Sequence, residues 1–276
     1  MKKIISLAVI SIFLLAYMPA NAFTMYGNSA GIGPDLVSQL DISGSPLAGT
    51  LVQNFNVSSG NGRGVVVVGN ILYSTQVGDP NIYKTDLTTG LPLGSITTSV
   101  ASMSTLAWDG STFWTSDYTG NNNAYQIDIN GNTIKTIQLT FGGNNYDGME
   151  YFNGKLIANR GDAATGPYDV YDLNGNLLQA AFITTSGPST GIAFDGTYFY
   201  TSNIFAGTLS QWDGTTGAFI ADIALSGGNF LIEDLSVDYA QRPDTGGGTP
   251  VPEPATVVLL GAGLIGLAGY GRKRLN

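Results

Sequence analysis

The chain of 276 residues is 43% hydrophobic and only 11% charged, and it contains neither cysteine nor histidine. Such a composition suits one or two folded domains and not a disordered chain; it excludes Ser-His-Asp triads, thiol nucleophiles, disulfides and zinc sites built on imidazole or thiolate. Between residues 23 and 251 six bases face nineteen acids, a balance of −13 that repels a nucleic-acid backbone or an anionic membrane surface and attracts cations.

Residues 1–22 read as a secretory signal peptide. Lys2 and Lys3 supply the positive start, Ile4 to Met18 an apolar run, and Ala20-Asn21-Ala22 a small-residue cleavage site that leaves Phe23 as the new first residue. An uncleaved N-terminal anchor remains the other reading of this stretch.

From residue 64 onward the sequence repeats itself. Each unit has an apolar strand, an Asp-Gly or Asn-Gly turn, an aromatic strand ending in small polar residues, a loop, a strand ending in Asp, and a further alternating strand. The four units are marked by Gly64-Val-Val-Val-Val68, Leu106-Ala-Trp-Asp-Gly110, Met149-Glu-Tyr-Phe-Asn-Gly154 and Ile192-Ala-Phe-Asp-Gly196. With Val68, Trp108, Phe152 and Phe194 equivalent, the spacings are 40, 44 and 42 residues, the length of a four-stranded propeller blade. Asp128-Ile-Asn-Gly-Asn132 and Asp172-Leu-Asn-Gly-Asn176 place Asn-Gly between alternating runs, which signals hairpins; the lack of a downstream Glu argues against calcium loops there.

Ile232 to Tyr239 matches the first strand of a unit, and the stretches beginning at Thr24, Leu36 and Ala48 match the other three. The expected domain, residues 23–242, is therefore all-β: a five-bladed β-propeller whose last blade combines one C-terminal strand with three N-terminal strands, leaving no open edge. A four-bladed or open array is the alternative. The repeat resembles bacterial extracytoplasmic propellers akin to the quinoprotein-like and NHL-like groups. That likeness implies fold alone, because propellers host enzymes, lectins and scaffolds.

A Gly- and Pro-rich linker, residues 243–251, leads to Pro252-Glu253-Pro254. Sixteen mostly apolar residues, 255–270, follow, and then Arg272, Lys273 and Arg274. A helix of sixteen residues is roughly 24 Å long, a little short of a hydrocarbon core of about 30 Å. The basic cluster would hold its end in the cytoplasm. The order of these features, residues 252–276, resembles the PEP-CTERM sorting signal, found in Gram-negative bacteria that make extracellular polysaccharide. The resemblance implies recognition by the membrane protease-transpeptidase exosortase, with Pro252, Glu253 and Pro254 as the processing motif. It further implies 255–270 as a transmembrane helix held transiently in the inner membrane, and Arg272, Lys273 and Arg274 as the retention cluster. A simple tail anchor is the rival reading and leaves Pro-Glu-Pro unexplained.

Aligning the repeats gathers Arg63, Ser104, Asp147, Thr190 and Glu233 at one mouth of the channel, with Glu150 and Asp234 close by. Arg63, Asp147, Glu150, Glu233 and Asp234 are the candidate ligand site. Asp147, Glu150, Glu233 and Asp234 are hard oxygen donors suited to Ca2+, the one cofactor this composition invites. Neighbouring loops add Asp79, Asp117, Asn121 to Asn123, Arg160, Asp162, Tyr118 and Tyr146. Trp108, Trp114 and Trp212 fall at packing positions; Tyr118 and Tyr146 are the aromatics expected to be free for sugar stacking. No catalytic residues are assigned. The sequence favours a non-catalytic module at the cell surface or in the extracellular matrix, in contact with exopolysaccharide; the alternative is a calcium-dependent propeller hydrolase or lactonase.

Overall fold

The computed structural model describes residues 22–31, 35–58, 60–117, 120–140, 146–160 and 167–242. The signal peptide up to residue 21, Tyr118, Asp162, the linker 243–251 and the sorting segment 252–276 with its helix 255–270 lie outside the described residues. Among the described residues no helix is long and apolar enough to cross a membrane, and the one helical turn is a 3-10 turn at Tyr239–Gln241.

Among the described residues, twenty strands form four sheets. In the first, β4 (Gly62–Val68), β5 (Ile71–Gln76), β6 (Asn81–Asp86) and β7 (Pro92–Thr97) follow one another as antiparallel neighbours. The same meander recurs in β8 (Ala107–Trp108), β9 (Phe113–Ser116), β10 (Asn123–Ile127) and β11 (Thr133–Gln138). It recurs again in β12 (Met149–Phe152), β13 (Lys155–Asn159), β14 (Pro167–Tyr171) and β15 (Leu177–Thr184). The fourth sheet has eight strands. One half is β16 (Ser189–Phe194), β17 (Tyr198–Asn203), β18 (Thr208–Asp213) and β19 (Phe219–Ser226). The other half runs β20 (Ile232–Ser236), β1 (Phe23–Ser29), β2 (Asp35–Ser43) and β3 (Ala48–Ser58). A short parallel pairing of Ala224–Ser226 with Ala48–Thr50 joins the halves.

The first strands of the meanders touch in a ring: β4 meets β8, β8 meets β12, β12 meets β16, β16 meets β20, and β20 returns to β4. The two ends of the domain are thus hydrogen-bonded to each other, with Tyr26 opposite Ser236 and Ser29 opposite Ile232.

Large side chains fill the space between successive sheets. Phe152 lies edge-on to Phe199 at 4.9 Å, Phe199 lies 4.5 Å from Phe194, and Trp212 and Phe182 close the same cluster. Burying each such ring contributes about 1.5–3 kcal/mol. Trp114 is fully buried, as its strand position implies.

The hairpin turns key each sheet to the one before it. Asp128 Oδ1 accepts from the backbone of Asn130 and Asn132, and Asp172 Oδ1 does the same from Asn174 and Asn176. These are Asx-type turns, as the Asn-Gly signal implies. Gly175 has φ +86° and lies so close to the neighbouring strand that an added Cβ would stand 2.2 Å from the Gln138 carbonyl oxygen. Gly131 meets the Thr97 carbonyl in the same way at 2.1 Å. Glycine is required there by backbone conformation and by contact alike.

Candidate functional site

The innermost strands have a sheet partner on one side only, so their inward N–H groups need other acceptors. Polar side chains of β20 supply them. Asp234 Oδ2 accepts from Val65 N at 3.0 Å, Leu106 N at 3.1 Å and the Thr105 hydroxyl at 3.2 Å. Ser236 Oγ accepts from Val67 N at 3.0 Å, and Asp238 Oδ1 from Gly69 N at 2.8 Å. Every second residue from 234 to 238 thereby binds every second N–H of the facing strand, locking the closing junction. Thr105 and Glu150 repeat the device, accepting from Met149 N and Phe194 N. Asp234 is fully buried, and burial pushes its carboxyl well above the usual range despite these donors.

One end of the axis, where the inner strands finish, is plugged by the chain itself. Arg242, which is 1% exposed, forms an ion pair with the fully buried Glu150 at 2.9 Å. Its second nitrogen donates to the Tyr151 carbonyl, and the Tyr239 hydroxyl donates to the same Glu150 oxygen. The guanidinium also lies 4.3 Å from the Tyr239 ring centroid and 5.4 Å from that of Phe194.

The opposite end, where the inner strands begin, holds a different group. Arg63 pairs with Glu233 at 2.9 Å, and the Thr190 hydroxyl bonds the same carboxylate. Asp147 lies within their electrostatic reach. Burial drives its carboxyl up to about 7, an effect that nearby Arg63 opposes and Glu233 reinforces. Its backbone N–H is held by Asn159 Oδ1 at 3.0 Å, while its own Oδ1 is buried without a hydrogen-bond partner among the described residues. Burial likewise raises Glu233, against the pull of Arg63. Ser104 stands beside this group, its hydroxyl bonded to the Tyr146 carbonyl and to Ser116.

Arg63, Asp147, Thr190 and Glu233 thus lie together where the inner strands begin. The four acids offered for calcium are divided along the axis. Glu150 is committed to Arg242 at the far end; Asp234 binds backbone N–H groups through Oδ2 in the middle, within reach of the Glu150 charge and with its Oδ1 buried without a hydrogen-bond partner among the described residues; Asp147 and Glu233 lie together at the mouth. No group of three or more possible metal ligands exists among the described residues. The four acids therefore do not form one ligand cluster among the described residues, because Arg242 holds Glu150 and backbone donors hold Asp234.

Tyr146 also requires correction. It is not a free loop aromatic but is 1% exposed, its hydroxyl 3.3 Å from that of Tyr171 inside the core. In the loops, Arg160 grips Asp169 through two nitrogens at 2.7 and 2.9 Å. Asp79 gathers Gln76, Asn81 and Tyr83, and these donors outweigh burial and hold its carboxyl below the usual range. Asp117 receives Asn121 and Tyr125.

Two adjoining cavities on the Arg242 face have no signature in residue spacing. One, of about 410 Å³, is lined by Phe23, Tyr26, Asp195, Asp238 and Arg242 among others. The second, of about 490 Å³, lies between Phe23, Leu47, Tyr198, Tyr200 and Gln211. The Phe23 ring sits 5.2 Å from that of Tyr200 between them.

What lies beyond Arg242 is decided by comparison. Residues 250–274 match the PEP-CTERM protein-sorting motif. This PEP-CTERM signal implies export and sorting by an exosortase through a membrane-anchored stage. No curated protein matches the chain. Among solved structures, a chain from a nidogen–laminin complex aligns with a TM-score of 0.53 at 12% identity, over 79% of this chain and 98% of its own. At that identity the likeness shows the fold alone, and the fold is β-propeller-like. A fold of this kind does not by itself specify chemistry.

Proposed function

We propose that this PEP-CTERM protein is a non-catalytic binding module of the cell surface or extracellular matrix, built as a closed five-bladed propeller and associated with exopolysaccharide. The pairing of β20 with β1 supports counting the mixed half-sheet as the fifth blade. The observation that carries the binding reading is the contrast in how the axial acids are used. Glu150 is consumed by structural partners, whereas Asp147 has a carboxylate oxygen still without a partner beside the Arg63–Glu233 pair. An acid and a guanidinium at one recessed mouth offer both acceptor and donor to sugar hydroxyls.

The alternative, a calcium-dependent hydrolase or lactonase, requires a cage of oxygen ligands that the described residues do not supply. Isothermal titration of the protein with exopolysaccharide fragments tests the choice. Binding that is lost in Asp147→Asn and in Arg63→Gln supports the mouth as the site. Heat with calcium alone, or turnover of a lactone, supports the enzyme instead.

A further inference from the structure

Both ends of the described domain leave from one face. The antiparallel pairing of β1 with β20 puts Phe23 beyond Ser236, on the side where the inner strands finish. Arg242 lies on that side too, and Ala22, Phe23 and Arg242 line the same cavity. The polypeptide therefore continues toward the signal segment and toward the sorting segment from neighbouring points. Arg242 is no loose end: its ion pair with Glu150 and its bond to the Tyr151 carbonyl fix the exit at the axis. Arg63, Asp147 and Glu233 stand at the beginnings of the inner strands, on the opposite face.

The face with the exits also carries more carboxylates than bases, with Lys135 and Lys155 among the bases. Asp86, Asp109, Asp128, Asp172, Asp195 and Asp213 all follow or end first or third strands, which point the same way, so their turns crown that face. Hydrogen bonds from Asn132 and Asn176 hold the Asp128 and Asp172 carboxyls below their usual range, and donors from Thr216 do so for Asp213. Carboxylates fixed in ionised form are repelled by an anionic headgroup layer. A nine-residue linker, 243–251, spans at most about 30 Å when extended, enough to let such a face stand off the bilayer while remaining the nearer one.

We infer that, while the chain is held in the membrane by its sorting segment, the Arg242 face is turned to the bilayer and the Arg63–Asp147–Glu233 mouth is presented outward, to a polysaccharide in the surrounding matrix. The choice of polysaccharide rests on the function proposed above; the orientation rests only on where the chain leaves the fold and on the sorting segment entering the membrane.

The absence of cysteine makes the test clean. Ser111→Cys places a single label on the Arg242 face and Val77→Cys, an exposed position, on the opposite face. The full-length chain is reconstituted into phosphatidylcholine vesicles carrying an energy acceptor on the headgroups, and transfer from each label is compared. Markedly stronger transfer from position 111 supports the inference. Equal transfer, stronger transfer from position 77, or failure of the chain to associate with the vesicles overturns it. Polysaccharide capture by the same vesicles is scored separately: its loss with the transfer order intact refutes the ligand and leaves the orientation standing.

Discussion

The two ends of the axis are built from the same kinds of residue and put to opposite uses. At one, Glu150 and Arg242 form a buried pair completed by Tyr239 and the Tyr151 carbonyl. At the other, Arg63 and Glu233 also pair, but Asp147 is left with a buried oxygen unpartnered and a carboxyl raised to about 7. A satisfied buried network rigidifies a fold, whereas an unsatisfied one is a local cost tolerated where another demand exists. Satisfied pairing is concentrated at the exit face, while the mouth keeps an unused acceptor where the proposed ligand would bind.

The sharpest way to break this contrast is to cut the exit-face pair. Glu150→Ala strands a guanidinium and a phenol hydroxyl in the interior, and should cost about 3–5 kcal/mol in urea unfolding. The double change Glu150→Leu with Arg242→Met should recover much of that loss. If Glu150→Ala unfolds at the wild-type midpoint, the plug is not structural.

Asp234→Ala removes the acceptor for three donors at the closing junction and should cost about 2–4 kcal/mol. Hydrogen exchange should rise first at Val65 and Leu106, which bond it directly.

At the mouth the sign reverses. A carboxyl raised from its ordinary value to about 7 keeps its proton in the folded chain while the unfolded chain releases it. Stability therefore falls as pH rises from about 4 to about 7, and levels off above that. Asp147→Asn removes this penalty. The variant should come close to wild type near pH 4 and exceed it at pH 8 by about 3–4 kcal/mol, measured by thermal melting across the range. A constant difference at every pH would show that Asp147 ionises normally.

Gly175→Ala probes the sheet-to-sheet key at the outer rim of the exit face, away from the axis, and should cost about 1–3 kcal/mol from its positive φ and its contact with the Gln138 carbonyl. Smallest for the fold is Pro252→Ala with Pro254→Ala. It should leave the melting temperature unchanged while altering surface retention, followed by fractionating cells that express the exosortase.

Much of the architecture could be read from residue spacing. Trp108, Phe152 and Phe194 recur because each sheet needs a bulky side chain at the same height against its neighbour, and the Asn-Gly turns declare themselves through Asp128 and Asp172. The mouth was partly visible, since equivalent repeat positions must stand on one ring; hence Arg63, Asp147 and Glu233 were placed together. Glu150 and Asp234 misled because an acid in a strand reads the same whether it awaits a ligand or caps a backbone. The clue was the alternation Asp234-x-Ser236-x-Asp238, which begins in a buried strand and runs just past its end, a pattern that makes sense only if each polar group has an N–H to meet. Arg242 carries no signal of its own in the sequence: it stands beside a Gly-rich linker, and only the closed ring brings it to Glu150. Tyr146 misled for a similar reason, since an aromatic outside any strand was still close enough to Tyr171 to be buried.

The pairing of β1 with β20 carries a consequence for how the domain comes into being. A chain delivered from its N-terminus exposes β1 at residue 23, yet the strand that completes its sheet arrives only at residue 232. Until then β1 keeps a bare flank, and the hydroxyl and carboxylate clasps on Val65, Val67 and Leu106 have nothing to hold. Completion is therefore a final, all-at-once event that waits for nearly the entire chain, and the sorting tail is the next thing to follow.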